Sequence, residues 1–254
     1  MVVLDKWAVD CAYHCQQEIL AAYESYDFHQ VVQKLMKFCS IDMGSFYLDI
    51  IKDRQYTAKS TSIARRSCQT ALYLICEAMV RWMAPIMSFT ADEIWKQMPG
   101  KRSEFVFTEE WYQGLFELEA SESMNNDYWE QIKQIRDEVN KQLENKRNDK
   151  EIGGSLQAEV TLYCSDQIAD ALEKLENELR FVLITSKAQV VRGEAADGAV
   201  KSELDGLSIS VVPSAHQKCE RCWHYVESVG HTKPGICDRC ATNIDGDGEV
   251  RKFA

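Results

Sequence analysis

The sequence has no long hydrophobic run. Although 45% of its 254 residues are hydrophobic, no apolar stretch approaches the ~18 residues that a membrane-spanning helix needs. Residues 1–7 (MVVLDKW) also lack the basic, apolar and small-residue order of a signal peptide. We therefore expect a cytoplasmic protein that does not associate with membranes.

The sequence also lacks the glycine-rich and serine motifs of common catalytic folds. It contains no GxxxxGK[ST], GxGxxG or GxSxG pattern, and its five histidines show no catalytic pairing. We therefore predict that the chain has neither a nucleotide pocket nor catalytic residues of its own.

An excess of positive charge is absent as well. The net charge is -11, which argues against a protein that binds nucleic acids non-specifically through phosphate neutralisation. Within residues 52–66, however, five basic side chains face one acidic side chain, so the segment has a net charge of +4. These basic residues are Lys52, Arg54, Lys59, Arg65 and Arg66. On charge alone, a solvated loop and helix start explains the segment better than a local anion site does.

Apolar residues recur at helical spacing through the first hundred residues. The predicted helices span residues 4–24, 27–52, 62–84 and 90–95, with a further charged helix over 127–149. Asp27 is the predicted N-cap of the second helix, and Thr90 with Glu93 forms a predicted capping box for the fourth. We expect an antiparallel helical bundle, with the aromatic, irregular residues 101–126 wrapped around it.

The period changes after residue 150. Alternating apolar residues predict strands over 156–163, 181–184, 188–191 and 207–212, and a helix is predicted from Ser165 or Asp166 to about Leu179. The predicted fold is mainly α: an antiparallel helical bundle, then a small α+β module, then a zinc-knuckle module with four cysteines. The corresponding domains are residues 1–126, 127–212 and 213–254.

Four of the ten cysteines form two Cys-x-x-Cys pairs. Cys219 and Cys222 are separated by 14 residues from Cys237 and Cys240. Two such knuckles complete a tetrahedral sulfur site, so we predict one structural Zn²⁺. A redox-active pair would need a thioredoxin-like unit, and two disulfides would need an oxidising compartment.

Cations and aromatic rings are interleaved around these cysteines. They are Arg221, Trp223, His224, Tyr225, Lys233, Arg239, Arg251 and Lys252. Such a set suits phosphate contact and stacking on unpaired bases. For Trp223, packing within its own module is an equal alternative. His224 and His231 are expected at solvent or RNA, because four cysteines leave no vacancy on the metal.

Two distant groups of motifs resemble one family. KDRQY (52–56), ARRSCQTALY (64–73) and RWMAPIMSFTADEIW (81–95) resemble the anticodon-binding helical domain of bacterial isoleucyl-tRNA synthetases, which belong to class I. KCERCWH (218–224), CDRC (237–240) and GDGEVRKFA (246–254) are similar to the C-terminal zinc module of the same enzymes. The resemblance extends over essentially the whole chain.

The resemblance implies the tRNA-binding C-terminal portion of an isoleucine–tRNA ligase, which reads the anticodon stem-loop of tRNA(Ile). The catalytic motifs and the editing insertion of class I synthetases are absent, so ATP binding and aminoacylation are implied only for the parent enzyme. We expect a monomer whose helical bundle and zinc module both face the anticodon loop. The predicted tRNA contacts are Lys52, Arg54, Tyr56, Arg65, Arg66, Arg221, Trp223 and Arg239.

Alternatives remain at this stage. Arg65 and Arg66 could pair with acidic residues of a neighbouring helix instead of tRNA. The whole chain could be a freestanding, zinc-stabilised scaffold that binds proteins through the apolar seam of residues 129–143. A tRNA-dependent enzyme with an unrecognised active site is disfavoured, because no pair of groups is poised for chemistry.

Overall fold

The apolar periodicity of the first hundred residues produces helices in the computed structural model, which describes residues 1–254. These helices are α1 (Val3–Glu24), α2 (Phe28–Lys37), α3 (Leu48–Thr57), α4 (Ile63–Met83) and α5 (Ser88–Gln97). The predicted N-cap is confirmed, since the Asp27 side chain accepts a hydrogen bond from the Gln30 backbone N–H. The predicted capping box is wrong: α5 begins at Ser88, which places Thr90 inside its first turn.

The ten residues between α2 and α3 form a π-helix, Phe38–Tyr47. The helix predicted from Asp27 to Lys52 is therefore continuous but locally wider than an α-helix. Gly44 makes this widening possible, because a Cβ at that position would lie 2.9 Å from the carbonyl oxygen of Cys39.

The chain folds into two compact units. Unit 1 comprises Val3–Asp49 and Ser67–Glu122 with Met1, and unit 2 comprises Ile50–Arg66 and Ser123–Ala254 with Val2. Segment 50–66 and residues 213–254, which are distant in sequence, thus belong to the same unit. The three domains proposed from the sequence stay a prediction.

Aromatic side chains form the interior of unit 1. Trp7 of α1 meets Phe46 edge-on, with ring centroids 5.2 Å apart. Trp82 of α4 is fully buried, packs edge-on against Phe38 and donates its Nε1–H to Oε1 of Gln16 at 2.9 Å. Because the indole donor finds a partner, this large side chain is buried without an unsatisfied polar group.

Residues 101–122 follow the bundle as an irregular strap with one 3₁₀ turn at Val106–Thr108. Side chains of the helices hold its backbone: Gln16 donates to the Tyr112 carbonyl at 2.8 Å, and Arg81 donates to the Glu110 carbonyl at 2.9 Å. The Leu118 N–H donates to the buried carboxylate of Asp10. These contacts hold residues 101–122 against the helices of unit 1, whereas residues 123–126 of the predicted wrapping segment belong to unit 2.

Unit 2 contains a long helix and a small mixed sheet. Its elements are α6 (Asn126–Asn148), β1 (Ala158–Cys164), α7 (Asp166–Glu173), α8 (Leu179–Val182), β2 (Lys187–Arg192), β3 (Val200–Lys201), β4 (Leu207–Pro213) and α9 (Asp238–Asp245). The strand order is β2-β1-β4-β3, with β1 parallel to β2 and antiparallel to β4. Burial alternates along β1 as predicted.

Two expectations for unit 2 are wrong. The strand predicted over residues 181–184 is replaced by α8 and the turn that follows it. A run of four apolar residues has no decisive period, so a buried helical turn and a buried strand look alike in sequence. The short strand β3 also lies within residues 194–205, a polar and acidic stretch in which no strand is predicted. None of the helices is long and apolar enough to span a membrane.

A buried carboxylate joins α4 to the strap within unit 1. Glu77 is 4% exposed and accepts hydrogen bonds from Arg81 at 2.7 Å and Arg102 at 2.5 Å. The two guanidinium groups lie 4.8 and 4.5 Å from the ring centroid of Trp95. Burial alone would raise the pKa of Glu77, but hydrogen bonds from Arg102 and Arg81 lower it to about 2.

We predict that Glu77→Gln lowers the free energy of unfolding by about 3 kcal/mol at pH 7, because two largely buried cations lose the carboxylate they share. The pKa of Glu77 is lower in the folded than in the unfolded chain. Its stabilisation is therefore complete above the usual pKa of 4.5 and is lost as the pH falls toward 2. Urea denaturation at pH 7 and pH 3.5 should show the wild type and the variant converging at the lower pH.

Glu109→Gln is the matched control, because Glu109 also binds Arg81, at 3.2 Å, but has a side chain that is 30% exposed. This change should cost less than about 1 kcal/mol. Equal stability of Glu77→Gln and the wild type at pH 7 would contradict the prediction.

Candidate metal centre and nucleic-acid interface

Two tight turns bring four thiols around one point in unit 2. The Sγ atoms of Cys219 and Cys240 are 3.8 Å apart, those of Cys222 and Cys237 are 3.7 Å apart, and all four lie within 4.8 Å of one another. A zinc ion bound to four sulfurs at ~2.3 Å has sulfur–sulfur edges of about 3.8 Å. The four buried side chains therefore fit a tetrahedral zinc ion.

Local backbone geometry positions these ligands. The first knuckle closes when the Trp223 N–H donates to the Cys219 carbonyl at 2.9 Å, and Cys237 is the N-cap of α9, which carries Cys240. The Cys237 N–H donates to Sγ of Cys219 at 3.3 Å and so joins the two knuckles. Amide donors that point at sulfur stabilise the thiolate form that binds metal.

The thiols also share protons. Hydrogen bonds from Cys222 and Cys240 lower the pKa of Cys237 to about 3, and the contacts with Cys222 and Cys237 raise the pKa of Cys240. Four sulfurs this close favour ionisation of some members at the expense of others. A divalent cation that replaces the protons satisfies all four at once.

Exposed cations and one aromatic ring lie on segment 50–66, defined here as Ile50–Arg66. Lys52 and Tyr56 are exposed and are separated by four positions on α3, which places them on one helix face. Tyr56 is 79% exposed. Arg66 is exposed on the first turns of α4, whereas its neighbour Arg65 is half-buried.

Trp223 is the exposed aromatic residue beside the metal ligands. Its relative exposure is 59%, and Lys218 Nζ lies 5.4 Å from the centroid of its ring. Its φ of +66° lies in the left-handed region, which costs a non-glycine residue of order 1–3 kcal/mol. The knuckle imposes this conformation and holds more than half of the indole in solvent.

Three of the predicted contact residues bind groups of the protein itself. Arg54 is 1% exposed and donates to the Ala64 carbonyl at 3.1 Å. Arg221 donates to the Thr57 carbonyl at 2.7 Å, and Arg239 holds Asp53 through two hydrogen bonds of 2.7 and 2.8 Å. The sequence shows where the arginines and lysines occur, but not which of them donate hydrogen bonds to carbonyl or carboxylate groups of the protein itself.

The expectation that His224 lies at solvent or RNA is wrong. Its ring is 3% exposed, lies within hydrogen-bonding distance of the Cys222 carbonyl and packs edge-on against Phe181. Arg251, one of the cations expected near phosphate, is also buried, with 2% of its side chain exposed. His231 remains at the surface, as expected.

The sequence analysis missed the acidic partners of these arginines. Burial alone would raise the pKa of Asp53, but Arg239 and then Arg251 lower it below its usual range. The same two arginines lower the pKa of Glu249 against the effect of its burial. One signal was available, because Asp53 is the single acidic residue among the basic residues 52–66.

Comparisons with known proteins match both the part of the chain that contains segment 50–66 and the part that contains the four cysteines. The family model described as the anticodon-binding domain of tRNA ligase matches residues 5–162, and the zinc finger found in FPG and IleRS matches residues 217–243. The geometry of the cysteines and the zinc-finger match together show a structural site for one Zn²⁺, held by Cys219, Cys222, Cys237 and Cys240.

Curated relatives match along the whole chain. Proteins named isoleucine–tRNA ligase from Pectobacterium carotovorum and Aeromonas hydrophila are each 64% identical to it, over 256 and 258 residues, and one from Pasteurella multocida is 61% identical over 254 residues. Each match covers 100% of this chain but 27% of the relative. The chain thus spans about a quarter of the length of these relatives.

We predict that Cys219→Ser lowers the zinc content from one ion per chain to near zero after dialysis, because a serine hydroxyl does not replace a thiolate ligand. Cys164→Ser is the control, since Cys164 is equally buried but lies outside the cluster, and this variant should keep its zinc. Elemental analysis by mass spectrometry measures both. Full zinc content in Cys219→Ser would show that this sulfur is not a ligand.

Proposed function

We infer the function of this chain from its family: it belongs to the tRNA ligases with an anticodon-binding domain, the family whose model matches residues 5–162. We propose that it is the tRNA-binding C-terminal portion of an isoleucine–tRNA ligase and recognises the anticodon stem-loop of tRNA(Ile). The observation that carries the proposal is the presence of exposed cations and aromatic rings on segment 50–66 and beside the metal, within one compact unit.

In this proposal the exposed cations hold the RNA backbone. Lys52 and Arg66 lie at the surface of segment 50–66 and contact phosphates. Tyr56 and Trp223 present exposed rings on which unpaired anticodon bases stack. Arg54, Arg221 and Arg239 act mainly from beneath this surface, through the Ala64 carbonyl, the Thr57 carbonyl and Asp53, and the half-buried Arg65 lies beside Arg66.

Zinc has a structural role in the proposed mechanism. When bound, it holds four thiolates together and thereby stabilises the two knuckles. The chain's own residues then perform the binding: the first knuckle keeps Trp223 in its left-handed conformation, and Lys218 places a cation near the same ring. An indole that is ordered before binding loses less conformational entropy when a base stacks on it.

The ATP-dependent attachment of isoleucine to tRNA is proposed for the longer parent chain, which these 254 residues would serve by selecting the tRNA. We further propose that the protein acts as a monomer in the cytoplasm. The scaffold alternative is not favoured, because the family match and the exposed basic and aromatic groups both support RNA binding.

The direct test is a titration of the 254-residue chain with an unmodified tRNA(Ile) transcript and with the same transcript carrying another anticodon. The exchange should weaken binding at least about tenfold, because reading one base edge is worth about 1–3 kcal/mol. Equal affinity for both transcripts would exclude anticodon recognition. No binding of either transcript would favour the scaffold.

We also predict different effects for a cation and for a ring. Lys52→Ala should weaken tRNA binding and reduce the slope of log affinity against log salt by about 0.7–0.9, because one phosphate contact is lost. Trp223→Ala should cost about 1–3 kcal/mol of binding free energy with an unchanged slope. Fluorescence anisotropy at several salt concentrations measures both quantities.

Two controls match these variants in exposure. Lys201→Ala removes an exposed lysine from β3, and Tyr26→Ala removes a ring that is 80% exposed in unit 1. Neither change should alter tRNA affinity or the salt slope. If Lys52→Ala and Lys201→Ala behave alike, Lys52 is not a phosphate contact.

A further inference from the structure

A closed ring of charges connects segment 50–66 to the metal module, defined here as residues 213–254. Arg239 contacts both carboxylate oxygens of Asp53 and one of Glu249, the latter at 3.0 Å. Arg251 contacts Asp53 at 2.7 Å and Glu249 at 2.8 Å. Each acid therefore binds both arginines, and all four side chains are at most 15% exposed.

The ring begins next to the metal. Arg239 lies between the ligands Cys237 and Cys240 on the first turn of α9, so the metal ligands fix the position of its backbone. Its guanidinium donates hydrogen bonds to Asp53. Asp53 and Arg239 are 186 positions apart in the sequence, and these hydrogen bonds link them directly.

The other arginine is held by the end of the described chain. The N–H groups of Lys252, Phe253 and Ala254 donate to the carboxylate of Glu178 at 2.8, 3.0 and 2.7 Å. The Arg251 guanidinium lies 3.2 Å from the ring centroid of Phe181, over which Arg239 also lies, at 5.1 Å. Phe181 thus packs against both arginines of the ring, and Glu178 holds the backbone of the residues that follow Arg251.

Two further contacts support the same connection, both through residues that follow Asp53 in the sequence. Arg221 donates to the Thr57 carbonyl at 2.7 Å, and Lys59 donates to the Gly246 carbonyl at 2.8 Å. Both use backbone acceptors, so they restrain the direction of the chain but have little charge specificity. Asp53 is the residue of segment 50–66 that contacts both Arg239 and Arg251 of the metal module.

We propose that Asp53 is a positioning residue through which the metal module sets the position of α3, and with it the exposed Lys52 and Tyr56. The identity of the nucleic acid rests on the proposed function, whereas the coupling between metal and segment does not. In this arrangement zinc acts on the RNA-facing surface at two places: directly at the knuckle that carries Trp223, and through Asp53 at α3.

The first test measures amide hydrogen exchange in segment 50–66. Removal of zinc from the wild type by a chelator should speed exchange there at least about tenfold, within the range of ordinary coupling between sites. Asp53→Asn with zinc bound should produce a similar increase. Chelation of Asp53→Asn should then add less than about a threefold change, because only the contacts of Arg221 and Lys59 still join segment 50–66 to the metal module.

Arg192→Gln is the control for a general loss of ion pairs. Arg192 also binds three carboxylates, those of Asp166, Asp170 and Glu173, but none of them belongs to segment 50–66 or to the metal module. This variant should leave exchange in segment 50–66 unchanged, both with and without zinc.

The second test measures affinity for the tRNA(Ile) transcript together with zinc content. Asp53→Asn should keep one zinc per chain and bind about tenfold more weakly, within the same range of coupling. Asp53→Glu, which keeps the charge, should restore affinity to within about threefold of the wild type. A residue that merely stabilised the fold would not separate affinity from zinc content in this way.

Unchanged exchange in zinc-loaded Asp53→Asn, or loss of its zinc, would overturn the proposal, because Asp53 would then either not couple the two parts or act on the metal site itself. Failure of the wild type to bind any tRNA would refute the proposed function instead. The exchange measurements would decide the coupling in that case as well.

Discussion

Four sulfur atoms that converge on one point are the constraint on which the metal module depends. Beyond the cysteines themselves, only Val226, Val229 and Ile236 pack against this cluster. So small an apolar core does not offset the entropy of ordering some forty residues, so the metal must supply most of the folding free energy. The positions of Trp223 and Arg239 follow, since both are adjacent in sequence to metal ligands.

Charge pairing decides which parts of this acidic protein can meet an anion. Segment 52–66 has a net charge of +4, yet Arg54 is buried on a backbone carbonyl and Asp53 is shared by two arginines from elsewhere in the chain. The buried arginines fix positions within the protein, whereas Lys52 and Arg66 are exposed to solvent. The set of exposed cations is therefore smaller than the basic composition suggests, and the rings of Tyr56 and Trp223 are exposed as well.

Unit 1 buries several polar side chains inside its helical bundle. Each large polar group in its interior meets a partner: Trp82 donates to Gln16, Glu77 accepts from two arginines, and the Tyr47 hydroxyl donates to Asp5 at 2.9 Å. Such fully satisfied networks favour a single packing arrangement over many similar ones.

Much of this protein could be predicted from local patterns in its sequence. Helical periodicity located α1, α4 and α6 to within a residue or two, and the spacing of four cysteines predicted the metal site that the sulfur geometry and the zinc-finger match support. These features depend on neighbours a few positions away, so a single sequence contains the information. The wrongly predicted strand at residues 181–184 lacked such a period.

Only the tertiary structure decided which distant residues act together. Asp53 and Arg239 are 186 positions apart, and nothing in either local sequence shows that they form a pair. Nor does the local sequence show that Glu178 accepts three backbone N–H groups from residues 252–254, or that His224 is buried. A charge pattern counts cations without showing their partners, because partners are set by the folded path of the chain and by the cost of leaving a buried charge alone.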